Sequence, residues 1–129
     1  MDSRPECVYG ILVRDGRVFV ADYGGKPGLP GGVFRPLADD RKVELKAHLY
    51  DQLGIMATRI WAQGAFGYQH PSEPCERFAG FYTVWDWDGE VRAEDGRWLD
   101  KEAVMTCDVP PSLRILLLSV LDTLALRTR

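Results

Sequence analysis

Two short runs near the start, residues 8–14 (Val-Tyr-Gly-Ile-Leu-Val-Arg) and 17–23 (Arg-Val-Phe-Val-Ala-Asp-Tyr), are rich in β-branched and aromatic residues and predict a pair of strands. The Asp15-Gly16 between them tolerates positive φ at both positions, which predicts a tight hairpin. Residues 24–32, Gly-Gly-Lys-Pro-Gly-Leu-Pro-Gly-Gly, are too dense in Gly and Pro for a helix or a central strand and predict a shaped loop. From Asp39 or Asp40, either of which can cap a helix, Val43, Ala47, Leu49, Tyr50 and Leu53 recur on one face. Gly54 is placed to end that helix, predicted over about residues 40–53.

Residues 57–68 and 77–87 read as two further strands around the polar turn His70-Pro71-Ser72-Glu73-Pro74. The second is apolar on both faces, as in a sheet covered on both sides. Asp88-Gly89-Glu90 is a turn, Arg97-Trp98-Leu99 a short extended piece, and residues 100–104 a single helical turn. Leu113, Leu117, Val120, Leu121 and Leu124 give residues 112–126 the spacing of a closing helix. No repeat, low-complexity tract or linker interrupts this order, which predicts one α/β sandwich domain over residues 1–129.

Composition narrows the function. A net charge of −3 and a pI near 5.3 give no global attraction to nucleic acid or to an anionic membrane, so a phosphate-bearing ligand must be captured locally. Cys7, Cys75 and Cys107 are odd in number and widely spaced, which argues against a disulfide framework or a zinc knuckle and for reduced thiols in a cytoplasmic protein. No segment has the pattern of a secretory signal or a membrane span, so a soluble, intracellular protein is expected.

The opening hairpin, Leu29-Pro30-Gly31-Gly32 leading to a helix that ends at Gly54-Ile55, the long strands, Trp98-Leu99 and the final helix together resemble the Nudix hydrolase superfamily over residues 8–126. The resemblance implies an α/β/α sandwich with a mixed, curved sheet between helices. It also implies a signature of Gly, five residues, Glu, seven residues, Arg-Glu, an aliphatic residue, any residue, Glu-Glu, any residue, Gly and an aliphatic residue. In that signature, carboxylates on one helix face hold Mg²⁺ or Mn²⁺ against a pyrophosphate while water attacks phosphorus. Here Leu49 and Ile55 fill the aliphatic positions, but Asp39, Ala47, His48, Asp51 and Gln52 stand at the charged ones, and the Gly31–Gly54 interval is two residues longer. The box is degenerate.

Glu44, His48 and Asp51 lie at i, i+4 and i+7, so a rearranged site would use Asp51 and Glu44 with the Gly32 carbonyl as metal ligands and His48 to orient water. An imidazole there would favour Mn²⁺ or Zn²⁺ over Mg²⁺. The alternative is that the three form a solvated helix face. Glu90, Glu94 and Asp95 are further loop acids that the resemblance offers to such a site. Lys26, Arg77 and Arg14 are candidate phosphate contacts, His70 either a base or phosphate donor or a solvated loop histidine, and Tyr68, Tyr82 and the four tryptophans either stacking surfaces or core.

The resemblance therefore implies a divergent phosphohydrolase acting on a nucleoside diphosphate linked to another group. The missing carboxylates point to the alternative, a non-catalytic nucleotide- or protein-binding module. Ile115, Leu116 and Leu118 widen the apolar surface of the last helix, which predicts a homodimer contact.

Overall fold

The computed structural model describes residues 6–34 and 40–127, with side chains to residue 123. Asp39, the Arg35-Pro36-Leu37 segment and the Leu124 side chain lie outside the described residues. The hairpin forms as expected: β1 (Cys7–Arg14) and β2 (Arg17–Tyr23) pair Val13 with Val18 and Arg14 with Arg17. Asp15 and Gly16 take φ of 53° and 73°, the left-handed values that an Asp-Gly turn accommodates.

Residues 24–32 are more ordered than a loop. A second turn at Gly24-Gly25 leads into β3 (Lys26–Gly28), and β4 (Gly31–Val33) follows. Proline is tolerated because β3 is the outermost strand, and a missing N–H there costs little. The segment pairs twice: β3 with β2, and β4 with Cys7, Val8 and Tyr9 of β1.

Next come α1 (Arg41–Leu53), β5 (Met56–Tyr68), β6 (Arg77–Asp88), β7 (Gly96–Leu99), α2 (Lys101–Thr106) and α3 (Pro111–Arg127). The sheet runs β3-β2-β1-β6-β5, with β4 beside β1 and β7 beside β2. It is mixed: β1 and β6 are parallel from Cys7↔Ala79 to Leu12↔Val84, and the other pairs are antiparallel.

Strand alternation divides the core in two. Tyr9, Ile11, Val13 and Phe81 face Leu113, Leu117 and Val120 of α3, while Val8, Leu12 and Val84 face Leu45, Leu49 and Leu53 of α1. Consequently every residue from 79 to 84 is buried, as the doubly apolar pattern of that strand requires. Gly10 has Leu45, Leu49 and Val84 side chains within 3.6 Å of where a Cβ would stand, so α1 sits close on the sheet. Asp40 caps α1 by accepting from Lys42 N–H at 2.9 Å, and Gly54 ends it at φ 72°.

Gly31 is the backbone constraint of this layout. Its φ is 143°, and a Cβ there would run into the Val8 carbonyl oxygen and the Tyr9 α-carbon, neither of which can swing away. Gly31→Ala is expected to cost about 3 kcal/mol or more in urea unfolding, whereas Gly16→Ala, where a Cβ meets open space, should cost only about 1 kcal/mol.

Candidate functional site

Two surfaces, one on each side of the sheet, gather the polar residues. On the α1 side, Glu44, His48 and Asp51 line one shallow depression of about 590 Å³ with Val33, Ala47 and Tyr50. The i, i+4, i+7 spacing therefore delivers the three to one face, but their environments differ. Glu44 is 5% exposed, so the expectation of a fully solvated face fails there, while Asp51 is open to solvent. The His48 ring lies against Gly32, and its Nε2 donates to the Val33 carbonyl at 3.0 Å.

Gln52, where the signature has its last Glu, accepts from Gly31 N–H at 3.1 Å through Oε1 and donates from Nε2 to the Gly31 carbonyl at 2.7 Å. Two of the positions that would point carboxylates at a cation instead hold backbone. Among the described residues, no group of three or more His, Cys, Asp or Glu side chains stands close enough to share a metal ion. His48 and Gln52, both bonded to backbone, do not fit the carboxylate clamp that the resemblance implies; the oxygen donors beside them are Asp51, Glu44 and the Gly32 carbonyl. Glu90 and Glu94 are exposed in the segment between β6 and β7, as is Asp95, whose carbonyl accepts from Asp22 N–H at 3.1 Å.

On the α3 side, Lys26 meets Tyr68 and His70, distant from it in sequence, in a cleft of about 550 Å³ closed by Tyr23, Gln69, Asp108, Val109 and Pro110. Asp108 escaped the sequence reading because nothing local marks it; only the fold carries the segment before α3 to the β2–β3 turn. Burial raises the Tyr23 and Tyr68 hydroxyl pKa values, so both phenols stay neutral.

His70 is a buried strut, neither the solvated loop histidine nor the free base that its sequence setting allows. Ser72 N–H donates to Nδ1 at 3.1 Å, which leaves the proton on Nε2, and Nε2 donates to the Leu29 carbonyl at 3.0 Å. The ring stacks on Tyr9 at 5.2 Å and meets Tyr23 edge-on at 4.3 Å. Both nitrogens are occupied, so His70 shapes the cleft wall by tying Leu29 to the β5–β6 turn.

The two arginines lie elsewhere. Arg77 is 3.6 Å from both Glu6 and Glu73 and outside the cleft. Arg14 lies over the Trp87 ring at 4.4 Å and near Trp98 at 5.9 Å, while Trp98 meets Phe19 edge-on. Trp85, Trp87 and Trp98 are partly buried against the core, as the packing alternative expects; Trp61 is 39% exposed. On α3, Leu116 and Leu118 are half-buried against the chain's own core and Ile115 is exposed, so the apolar surface there is narrower than the sequence spacing predicts. Among the described residues no helix is long and apolar enough to cross a membrane.

A mixed sheet between α1 and α3, with a Leu-Pro-Gly-Gly loop running into α1, is the Nudix fold. The sequence matches no protein-family model and no curated protein, whereas the fold matches solved structures closely. The MutT NUDIX hydrolase of Burkholderia pseudomallei is 20% identical, covering 90% of this chain and 97% of its own at a TM-score of 0.73. The E. coli ORF135 protein is 23% identical, with 95% and 92% covered and a TM-score of 0.71. The NUDIX domain of Shewanella oneidensis NrtR, complexed with ADP ribose, is 14% identical, with 100% and 91% covered and a TM-score of 0.62.

Burial lowers the His70 pKa below its ordinary value, against smaller opposing effects from the Leu29 carbonyl and Glu73. The unfolded chain therefore binds a proton that the fold resists, and His70 contributes stability that is full above about pH 6.5 and drains away as pH falls. Melting scans from neutral to about pH 5 should show wild type losing more stability than His70→Gln over that window; parallel curves would refute the assignment.

Proposed function

We propose that this chain is a Nudix-fold module that binds a nucleotide-like ligand in the Tyr23–Lys26–Tyr68–Asp108 cleft, without the metal clamp of an efficient phosphohydrolase. The convergence of Lys26, Tyr68 and Asp108 on one concave site carries the reading. A cleft of about 550 Å³ lies in the range that holds a small ligand. The Lys26 ammonium supplies the local positive charge for a phosphate that a chain of net charge −3 otherwise lacks. Tyr23, half-buried, offers aromatic surface to a base or sugar with buried Tyr68 packed behind the wall, and the Asp108 carboxylate accepts from an amine edge. The ADP ribose held by the NrtR NUDIX domain supports a ligand of this class.

The box helix supports the second half of the proposal. His48 and Gln52 are engaged with Val33 and Gly31, and Asp51 is the one signature carboxylate on the described part of that helix. The hydrolase reading, which the fold shared with MutT proteins supports, makes the opposite forecast. It requires Mg²⁺- or Mn²⁺-dependent turnover that disappears in Asp51→Asn.

Calorimetric titration with ADP ribose and with nucleoside diphosphates separates the two. Binding in EDTA with no turnover, weakened about tenfold in Lys26→Ala and unchanged in Asp51→Asn, is expected. Absence of binding from every titration, or metal-dependent turnover abolished by Asp51→Asn, would overturn the proposal.

A further inference from the structure

We infer that the side-chain amide of Gln52 takes the place of a bridging cation, joining α1 to the loop of residues 28–32 and making that junction independent of metal. The two hydrogen bonds run in opposite senses between one side chain and one residue: Gly31 N–H to Oε1 at 3.1 Å and Nε2 to the Gly31 carbonyl at 2.7 Å. Only a group that both donates and accepts closes this pair. A carboxylate at the same place offers acceptors alone, so one oxygen would face the Gly31 carbonyl with no proton to bridge them. A divalent cation seated between carbonyl and carboxylate supplies that bridge, since both are oxygen ligands of the kind hard cations take. The amide NH₂ achieves the same end with a proton on nitrogen.

Gln52 is thus a positioning residue, and what it positions extends beyond α1. The loop it grips is held at its other end by His70, whose Nε2 donates to the Leu29 carbonyl. Gly28 lies so close to the same ring that a Cβ there would stand 3.0 Å from Nε2. One short segment is therefore gripped from the α1 face at Gly31 and from the α3 face at Leu29, and its cleft-side end bears on the ligand site. The effect on ligand affinity rests on the function proposed above; the clasp itself does not.

The test compares thermal melting of the full-length wild type, Gln52→Glu and Gln52→Ala, each in EDTA and in millimolar Mn²⁺. Wild type should melt at the same temperature in both. Gln52→Glu should melt about 3 °C or more lower in EDTA and recover most of the difference in Mn²⁺, while Gln52→Ala should fall and not recover. A Gln52→Glu protein that melts like wild type in EDTA, or a wild type that Mn²⁺ stabilises as much as the variant, would overturn the inference. Should Gln52→Glu not fold, hydrogen exchange in wild type decides. The Gly31 amide is expected to be protected in EDTA and to exchange at least tenfold faster in Gln52→Ala, and equal rates would refute the clasp. If ADP ribose fails to bind wild type while this melting pattern holds, the proposed function falls and the clasp stands.

Discussion

The arrangement turns on residues 28–32, which cross from the α3 face of the sheet to the α1 face and are pinned at both ends by side chains rather than by helix or long ladder. His70 grips the Leu29 carbonyl on one side; Gln52 grips Gly31 on the other. Between them, Pro30 accepts from Gly10 N–H at 2.9 Å, and β4 pairs with the first half of β1. Buried backbone in so irregular a segment must find partners somewhere, and here most come from β1 and from these two side chains. Glycine at position 31 follows, because the segment approaches β1 too closely for any Cβ.

That constraint separates the two faces in function. The α3 face keeps an open cleft because Tyr23, Tyr68 and His70 brace one another edge to face, leaving Lys26 and Asp108 at its margin. The α1 face gives up His48 and Gln52 to the loop and to β4. Each hydrogen bond from His48 or Gln52 to backbone is a donor withdrawn from any other task, and removing either partner leaves a backbone group short of its match. The same residues cannot at once hold the loop by direct hydrogen bonds and surround a cation.

Most of the fold could be read from the chain because it rests on patterns that act locally. Asp15-Gly16 fixes the hairpin, Asp40 and Gly54 delimit α1, and the apolar run in β6 announces a doubly covered strand. The Gly-Pro segment is more ordered than its composition implies, since pairing to β1 and β2 supplies order that local propensity does not. In the site, Lys26, Tyr68 and His70 were identified as residues, yet their convergence was not visible, for it depends on the β2–β3 turn, the β5–β6 turn and the start of α3 meeting. Asp108 and the Gln52 clasp had no local signal at all. His70 shows the limit most plainly: a histidine among Pro, Ser and Glu reads as solvated until Tyr9, Tyr23 and Tyr68 are found around it.

That the fold stands with His48 and Gln52 on this face of α1 has a physical basis in the geometry of the helix. Leu45, Leu49 and Leu53 recur every fourth residue and are at most 2% exposed, and together with the Asp40 and Gly54 caps they fix where the helix lies. Burying such a stripe is worth several kcal/mol, and none of it depends on what stands at positions 48, 51 or 52. Those positions lie on the flank toward β4 and on the outer face, where substitutions leave the core contacts intact. A helix anchored this way can carry an imidazole and an amide at positions 48 and 52 while its core contacts and the sheet keep their places, so the fold constrains the chemistry of this helix face far less than it constrains the packing beneath it.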